Sequence, residues 1–188
     1  MSVPVERMTA VLLMGHGGFE MLELRTDVPV PEPGPGEVLL EVRAASVNNT
    51  DVNTRTGWYA RGEPGGGASW TGAPLVFPRI QGADCCGVIV AVGSGVPSGR
   101  IGERAVVRTM LRGYAGEGAT PWTFGSECDG GFAQYAKAPA VDVFAVECNW
   151  TDAELASIPC AYSTAENMLE RARVGAETVV VTGASGGV

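Results

Sequence analysis

A chain of 188 residues, 45% hydrophobic and 18% charged, is globular in composition and can hold one well-buried domain and part of another. A formal net charge of −8 with no Lys/Arg cluster argues against a nucleic-acid partner, since nothing would neutralise phosphates. No apolar run approaches the roughly 20 residues of a membrane helix, and Glu6 and Arg7 ahead of the short patch 10–14 mark it as a strand rather than a signal peptide.

The 27 Gly and 12 Pro favour many short strands over a helical bundle. A first strand is predicted over 8–14 and a second, short one around 21–24. Residues 28–37 carry Pro29, Pro31, Pro33 and Pro35, which exclude a helix and impose an extended segment ending in a turn. Val38, Leu40, Val42 and Ala44 share one face, with Glu41 and Arg43 on the other, so 38–44 reads as a half-buried strand. A Gly-rich loop over 59–74 follows, then strands around 87–92, 104–108 and 132–137, with a second polar, Gly-rich excursion over 111–130. Short strands at this spacing suggest a closed or nearly closed barrel, which removes unpaired edges. His16, between two glycines near a turn, reads as a surface residue.

The chain changes character at Thr151. Thr151 and Glu154 fit a capping box. After Pro159, the positions Ala161, Thr164, Ala165, Met168, Leu169 and Ala172 form one face of an amphipathic helix that Gly175 is expected to end. The β-branched run 178–182 then reads as a strand buried on both faces of a parallel sheet. It leads into Gly183-Ala184-Ser185-Gly186-Gly187-Val188, a turn whose glycines let backbone approach a pyrophosphate at the next helix N-terminus. With no companion strands, residues 176–188 are expected to be disordered, folded back on the barrel, or paired with the same strand of a second chain.

Cysteines 85, 86, 128, 148 and 160 form an odd set without a C-x-x-C pair. Cys85 and Cys86 would face opposite sides of a strand, so neither a metal knuckle nor a disulfide framework is suggested. Reduced thiols in a cytoplasmic protein are the expectation.

Five segments occur in order: Pro33 to Leu39, Val47-Asn48-Asn49-Thr50-Asp51, Gly87 to Gly93, Gly130 to Tyr135, and Thr182 to Val188. Together they resemble the medium-chain dehydrogenase/reductase superfamily. The resemblance implies a mainly β fold with some α: a GroES-like catalytic barrel over 1–150, then linker helices and the first strand and Gly turn of a truncated Rossmann domain over 151–188. Zinc alcohol dehydrogenases of that superfamily hold their metal with a Cys, a His in Gly-His-Glu, and a second Cys. Here those positions read Asn48, Gly82-Ala83-Asp84 and Cys160, and the structural-zinc region keeps only Cys128. No zinc is therefore expected.

The remaining pattern is similar to the zinc-independent quinone oxidoreductase branch, with Asn48 and Asp51, then Arg55 and Tyr59, although Asn53 stands where that branch commonly has a Tyr. The resemblance implies an NADP(H)- or NAD(H)-dependent reductase of quinones or α,β-unsaturated carbonyl compounds, with this segment alone inactive and a homodimer left open. Asn48 would donate an amide N–H to the nicotinamide region or to a substrate carbonyl. Asp51 would orient Arg55 or a cofactor hydroxyl, and Tyr59 would hydrogen-bond a carbonyl oxygen. Cys160, Thr164, Gly183, Ser185, Gly186, Gly187 and Val188 complete the cofactor-binding set. Turn chemistry alone also accounts for Asn48 and Asp51, packing for Cys160, and a bond to its own i−4 carbonyl for Thr164. Two other readings stand beside this one. One is an alcohol dehydrogenase relative with a degenerate metal site built on Asp84, Cys160 and Cys85 or Cys86. The other is a non-catalytic barrel whose Gly-rich loops meet a protein partner.

Overall fold

A computed structural model describes residues 5–60, 69, 75–114 and 120–183. In chain order its strands and helices are β1 (Arg7–Leu13), β2 (Leu22–Pro29), β3 (Glu37–Ser46), α1 (Asn49–Arg55), β4 (Arg79–Ile80), β5 (Asp84–Val92) and β6 (Arg104–Val107). They continue with β7 (Met110–Leu111), β8 (Trp122–Thr123), β9 (Tyr135–Pro139), β10 (Val143–Ala145), α2 (Asp152–Ala156) and α3 (Pro159–Arg171). Among the described residues no helix is long and apolar enough to cross a membrane.

The larger sheet has the order β10-β6-β5-β3-β9, with every neighbouring pair antiparallel. A smaller sheet runs β2-β1-β4. Residues 132–134 join the two. Gln134 accepts the Val42 N–H at 2.8 Å and donates its own to Thr9 at 3.0 Å, while the Phe132 carbonyl takes the Val11 N–H at 2.9 Å. The wall therefore curls into a partly closed barrel, and the inner edge of β3 is passed on to β1 rather than left open.

Inside it, Val38, Leu40, Cys85, Ile89, Ala105, Val107, Phe124 and Ala138 form one core. Cys86 points the other way, against Leu155 and Ala156 of α2, as adjacent strand residues must. The capping box at Thr151 forms: the Glu154 N–H reaches the Thr151 hydroxyl at 3.2 Å, and Glu154 accepts the Thr151 N–H at 2.7 Å.

Several expectations are revised. β2 continues to Pro29, because Val28 pairs with Met8 and extends the ladder. The strand predicted over 132–137 begins at Tyr135. The excursion 111–130 is not simply polar: β7 and β8 pair, and Phe124 is fully buried in the core. α3 ends before Gly175, since Arg173 takes the left-handed turn at φ 53° and the Val174 N–H closes on the Leu169 carbonyl. On the expected apolar face of α3, Met168 and Leu169 stay 56% and 43% exposed.

Residues 178–182 form no strand and do not fold back on the barrel: Val179, Val180 and Val181 are 44%, 85% and 63% exposed. A strand needs a ladder partner, and none lies beside this run among the described residues. Most of the 59–74 loop lies outside the described residues.

Candidate functional site

β3 delivers the chain to α1, and Asn48 turns it. Asn48 is the N-cap, in extended geometry (φ −121°, ψ 167°), with its Oδ1 accepting the Asn49 N–H at 2.7 Å. Three residues on, Asp51 closes the capping box by accepting the Asn48 N–H at 2.8 Å. Asp51 reaches further, however. Its other oxygen takes the N–H groups of Gly82 at 3.2 Å and Ala83 at 3.1 Å, and its carbonyl takes the Gln81 amide at 3.0 Å. The carboxylate is 6% exposed, and burial pushes its pKa up despite these backbone donors. Asp51 thus pins α1 to the turn before β5. That turn requires Gly82, whose φ is +103° and whose Cβ would sit 2.7 Å from the Phe132 backbone nitrogen.

Asp84, at the head of β5, is fully buried. One oxygen accepts the Cys160 N–H at 2.6 Å, the other accepts the Ser46 hydroxyl at 3.3 Å, and the Asn48 side chain lies close enough to favour the charged form. Desolvation, with Asp51 close by, raises Asp84 to about 6. The Cys160 thiol is held up at about 12, by burial first and then by the same two carboxylates. Asn48, Asp84 and Cys160, far apart in sequence, therefore converge, with Asp84 as the hub. Its signal in the sequence is a charged residue opening an otherwise uncharged buried strand.

A catalytic zinc needs three N, S or carboxylate donors with one position open. Here the third donor is an amide, the Asp84 oxygens already accept N–H and O–H groups, and among the described residues no three His, Cys, Asp or Glu are grouped to hold a metal. That donor set does not fit zinc.

The other expected residues fall into place unevenly. Tyr59 is half-buried, its hydroxyl 3.3 Å from Thr50 Oγ1 and its ring edge-on to Trp58 at 5.4 Å. The Thr164 hydroxyl bonds its own i−4 carbonyl, that of Cys160, at 2.6 Å. Gly183 has a left-handed φ of 69° with open space where a Cβ would be. Ser185, Gly186, Gly187 and Val188 lie outside the described residues.

Two assignments change. Asp51 does not orient Arg55: its oxygens are taken up by backbone N–H groups, and Arg55 turns away to the Gly17 carbonyl at 2.7 Å and over the Phe19 ring at 4.6 Å. His16 is not a surface residue. It is partly buried, with Nδ1 2.9 Å from the Thr54 carbonyl and its ring edge-on to Phe77. With the Gly17 N–H on the Arg55 carbonyl, it props the end of α1.

The family described as the alcohol dehydrogenase GroES-like domain matches residues 34–148. A quinone oxidoreductase of Homo sapiens is 33% identical over 183 residues, covering 96% of this chain and 47% of that protein. An L-threonine 3-dehydrogenase of Pyrococcus horikoshii is 31% identical over 196 residues, covering 95% of this chain and 50% of that protein. Among solved structures, a protein of Sinorhizobium meliloti 1021 described as an alcohol dehydrogenase superposes with a TM-score of 0.87 at 49% identity, covering 98% of this chain and 52% of that one. The chain thus spans about half the length of the relatives it matches.

Proposed function

The chain belongs to the medium-chain dehydrogenase/reductase superfamily through its GroES-like domain, and from that premise we propose that it is the catalytic-domain portion of a zinc-independent, NAD(P)H-dependent reductase of quinones or α,β-unsaturated carbonyl compounds. The observation that carries the reading is the replacement of a metal-ligand triad by an amide, a buried carboxyl and a protonated thiol, knitted together by Asp84. NAD(P)H, when bound, supplies the hydride. Gly183, Ser185, Gly186, Gly187 and Val188 would approach its pyrophosphate, while Cys160 and Thr164 would line the nicotinamide side.

The chain's own task is to polarise a carbonyl. Asn48 has two amide N–H groups. One would be oriented by the neighbouring Asp84 carboxylate, leaving the other for the substrate oxygen. A neutral donor held at that point stabilises an enolate or hydroquinone oxygen as negative charge develops on it. The Tyr59 hydroxyl, which donates to Thr50 in the first turn of α1, would supply a second donor by turning its O–H to the substrate oxygen. Asp51 acts through position alone, because it holds the helix that carries Asn48.

The full-length protein is expected to oxidise NADPH or NADH with a quinone or enone, to be indifferent to chelators, and to carry no stoichiometric zinc. Asn48→Ala should lower kcat by on the order of 10²-fold, as loss of one oxyanion donor does. Alcohol oxidation that disappears on chelation, with zinc bound one to one, would overturn the reading.

A further inference from the structure

On the outer face of the larger sheet, beneath α2, four side chains meet that the proposed reduction does not use. Cys86 of β5 is fully buried under α2, and its thiol donates to Asp152 Oδ1 at 3.7 Å. Arg104 of β6 lies 3.6 Å from that same oxygen through Nη1. Its Nη2 lies 3.6 Å from the sulfur of Cys148 and 2.6 Å from the Cys148 carbonyl, and Nη1 also takes the Trp150 carbonyl at 2.9 Å. Two thiols thus flank one Arg–Asp pair, and each lies within the electrostatic reach of the other.

They differ in exposure and in surroundings. Cys148 alone among the five cysteines is exposed. It follows β10 in a segment without helix or strand, and a guanidinium donates to its sulfur. Such a donor favours the negative charge that a sulfur carries as it attacks an electrophile. Cys86 is fixed in a central strand, and burial pushes its thiol to about 11. Cys160 and Cys128 are held up near 12, chiefly by burial.

We propose that Cys148 and Cys86 form a hydroperoxide-sensitive pair, in which Cys148 is oxidised to a sulfenic acid and Cys86 captures it as a disulfide. In the first step the Cys148 sulfur attacks the hydroperoxide; the S–O bond forms, the O–O bond breaks, and the alcohol (water, from hydrogen peroxide) leaves with the thiol's proton. In the second, the Cys86 sulfur attacks Cys148 Sγ and its proton passes to Asp152 Oδ1. The S–S bond forms and the S–O bond breaks, and hydroxide departs, taking a proton to become water. Two thiols lose two electrons and the hydroperoxide gains them. The mobile partner is Cys148: for its sulfur to reach β5, Arg104 must release the 148–150 carbonyls, so the disulfide tethers the approach to α2 onto the sheet. A transient bond of this kind suits a reducing compartment, where disulfides serve sensing rather than stability.

The test is mass-spectrometric peptide mapping of the purified full-length protein, blocked with an alkylating agent after stoichiometric hydrogen peroxide. Wild type should yield a Cys86–Cys148 disulfide that dithiothreitol reverses. Cys148→Ser should yield none and leave Cys86 a thiol, and Cys86→Ser should accumulate a dimedone adduct at Cys148. Arg104→Gln should slow adduct formation several-fold. The wild-type map decides even where a variant folds poorly. A Cys148 that passes to sulfinic acid with Cys86 still free, or peroxide consumption at another cysteine first, would overturn the proposal.

Discussion

Asp84→Asn is the sharpest probe of the site, because its effect depends on pH in a direction fixed by the structure. Asp84 is fully buried, and desolvation together with Asp51 raises it from 3.8 to about 6. Its hydrogen-bond partners are the Cys160 N–H and the Ser46 hydroxyl. In the unfolded chain the carboxyl ionises near 3.9. Between about pH 4 and 6 the folded state therefore binds the extra proton, so stability falls as pH rises through that window and is level above it. Holding the carboxyl at about 6 instead of 3.8 weakens the fold by about 3 kcal/mol at pH 7. Asparagine keeps the acceptor for Cys160 and can donate to Ser46, losing only the carboxylate's attraction for the nearby Asn48 amide, worth at most about 1 kcal/mol. Chemical denaturation of both proteins from pH 4 to 7 should show their difference swinging by about 2 kcal/mol, with wild type favoured at the acid end and the variant equal or more stable at pH 7. Taking the difference removes carboxylates such as Glu37, whose lowered pKa tilts stability the other way. A difference that does not change across this range would refute the argument.

Two further substitutions test the fold that carries the site. In Gly93→Ala the new Cβ would lie 1.7 Å from the Gly34 carbonyl oxygen, backbone against backbone, so a loss of about 2–4 kcal/mol is expected in thermal or denaturant unfolding; an unchanged midpoint would contradict the packing of the 33–36 turn on β5. Phe124→Ala removes a fully buried ring from the barrel core and should cost about 3–5 kcal/mol. A near-zero effect would mean that the 111–130 excursion is appended to the barrel rather than part of it.

Period-two alternation made β3 legible, since Val38 and Leu40 face one core while Glu41 and Arg43 stay outside it. Cap chemistry did the same for α2, because a capping box is a local arrangement spanning four residues. What escaped the sequence was set by distant partners. β2 outruns its own hydrophobic signal because β1 offers it a ladder, and the 178–182 run fails to become a strand for want of one. Phe124 gave no periodic cue, as it enters the core from an irregular segment rich in polar residues. His16 looked exposed between its glycines, yet those glycines let the loop close on α1, where Gly57 leaves room for the imidazole ring.

The same reasoning removes an apparent choice at Asn48 and Asp51. Local turn chemistry and a role in the cleft look like rival explanations, but here the first is the means to the second. Asp51 occupies its oxygens with N–H groups from α1 and from the turn before β5. That leaves it nothing with which to bind Arg55, and leaves α1 no freedom to rotate. The cap therefore sets where Asn48 points, and Asp84 sets which of its faces remains open. On the proposed reading, a buried carboxyl beside the amide does for geometry what a metal does in a ligand triad. Such a site is suited to hydrogen-bonding an oxygen that gains negative charge during reduction, and poorly suited to ionising an alcohol, for which a metal-bound oxygen is the effective acid.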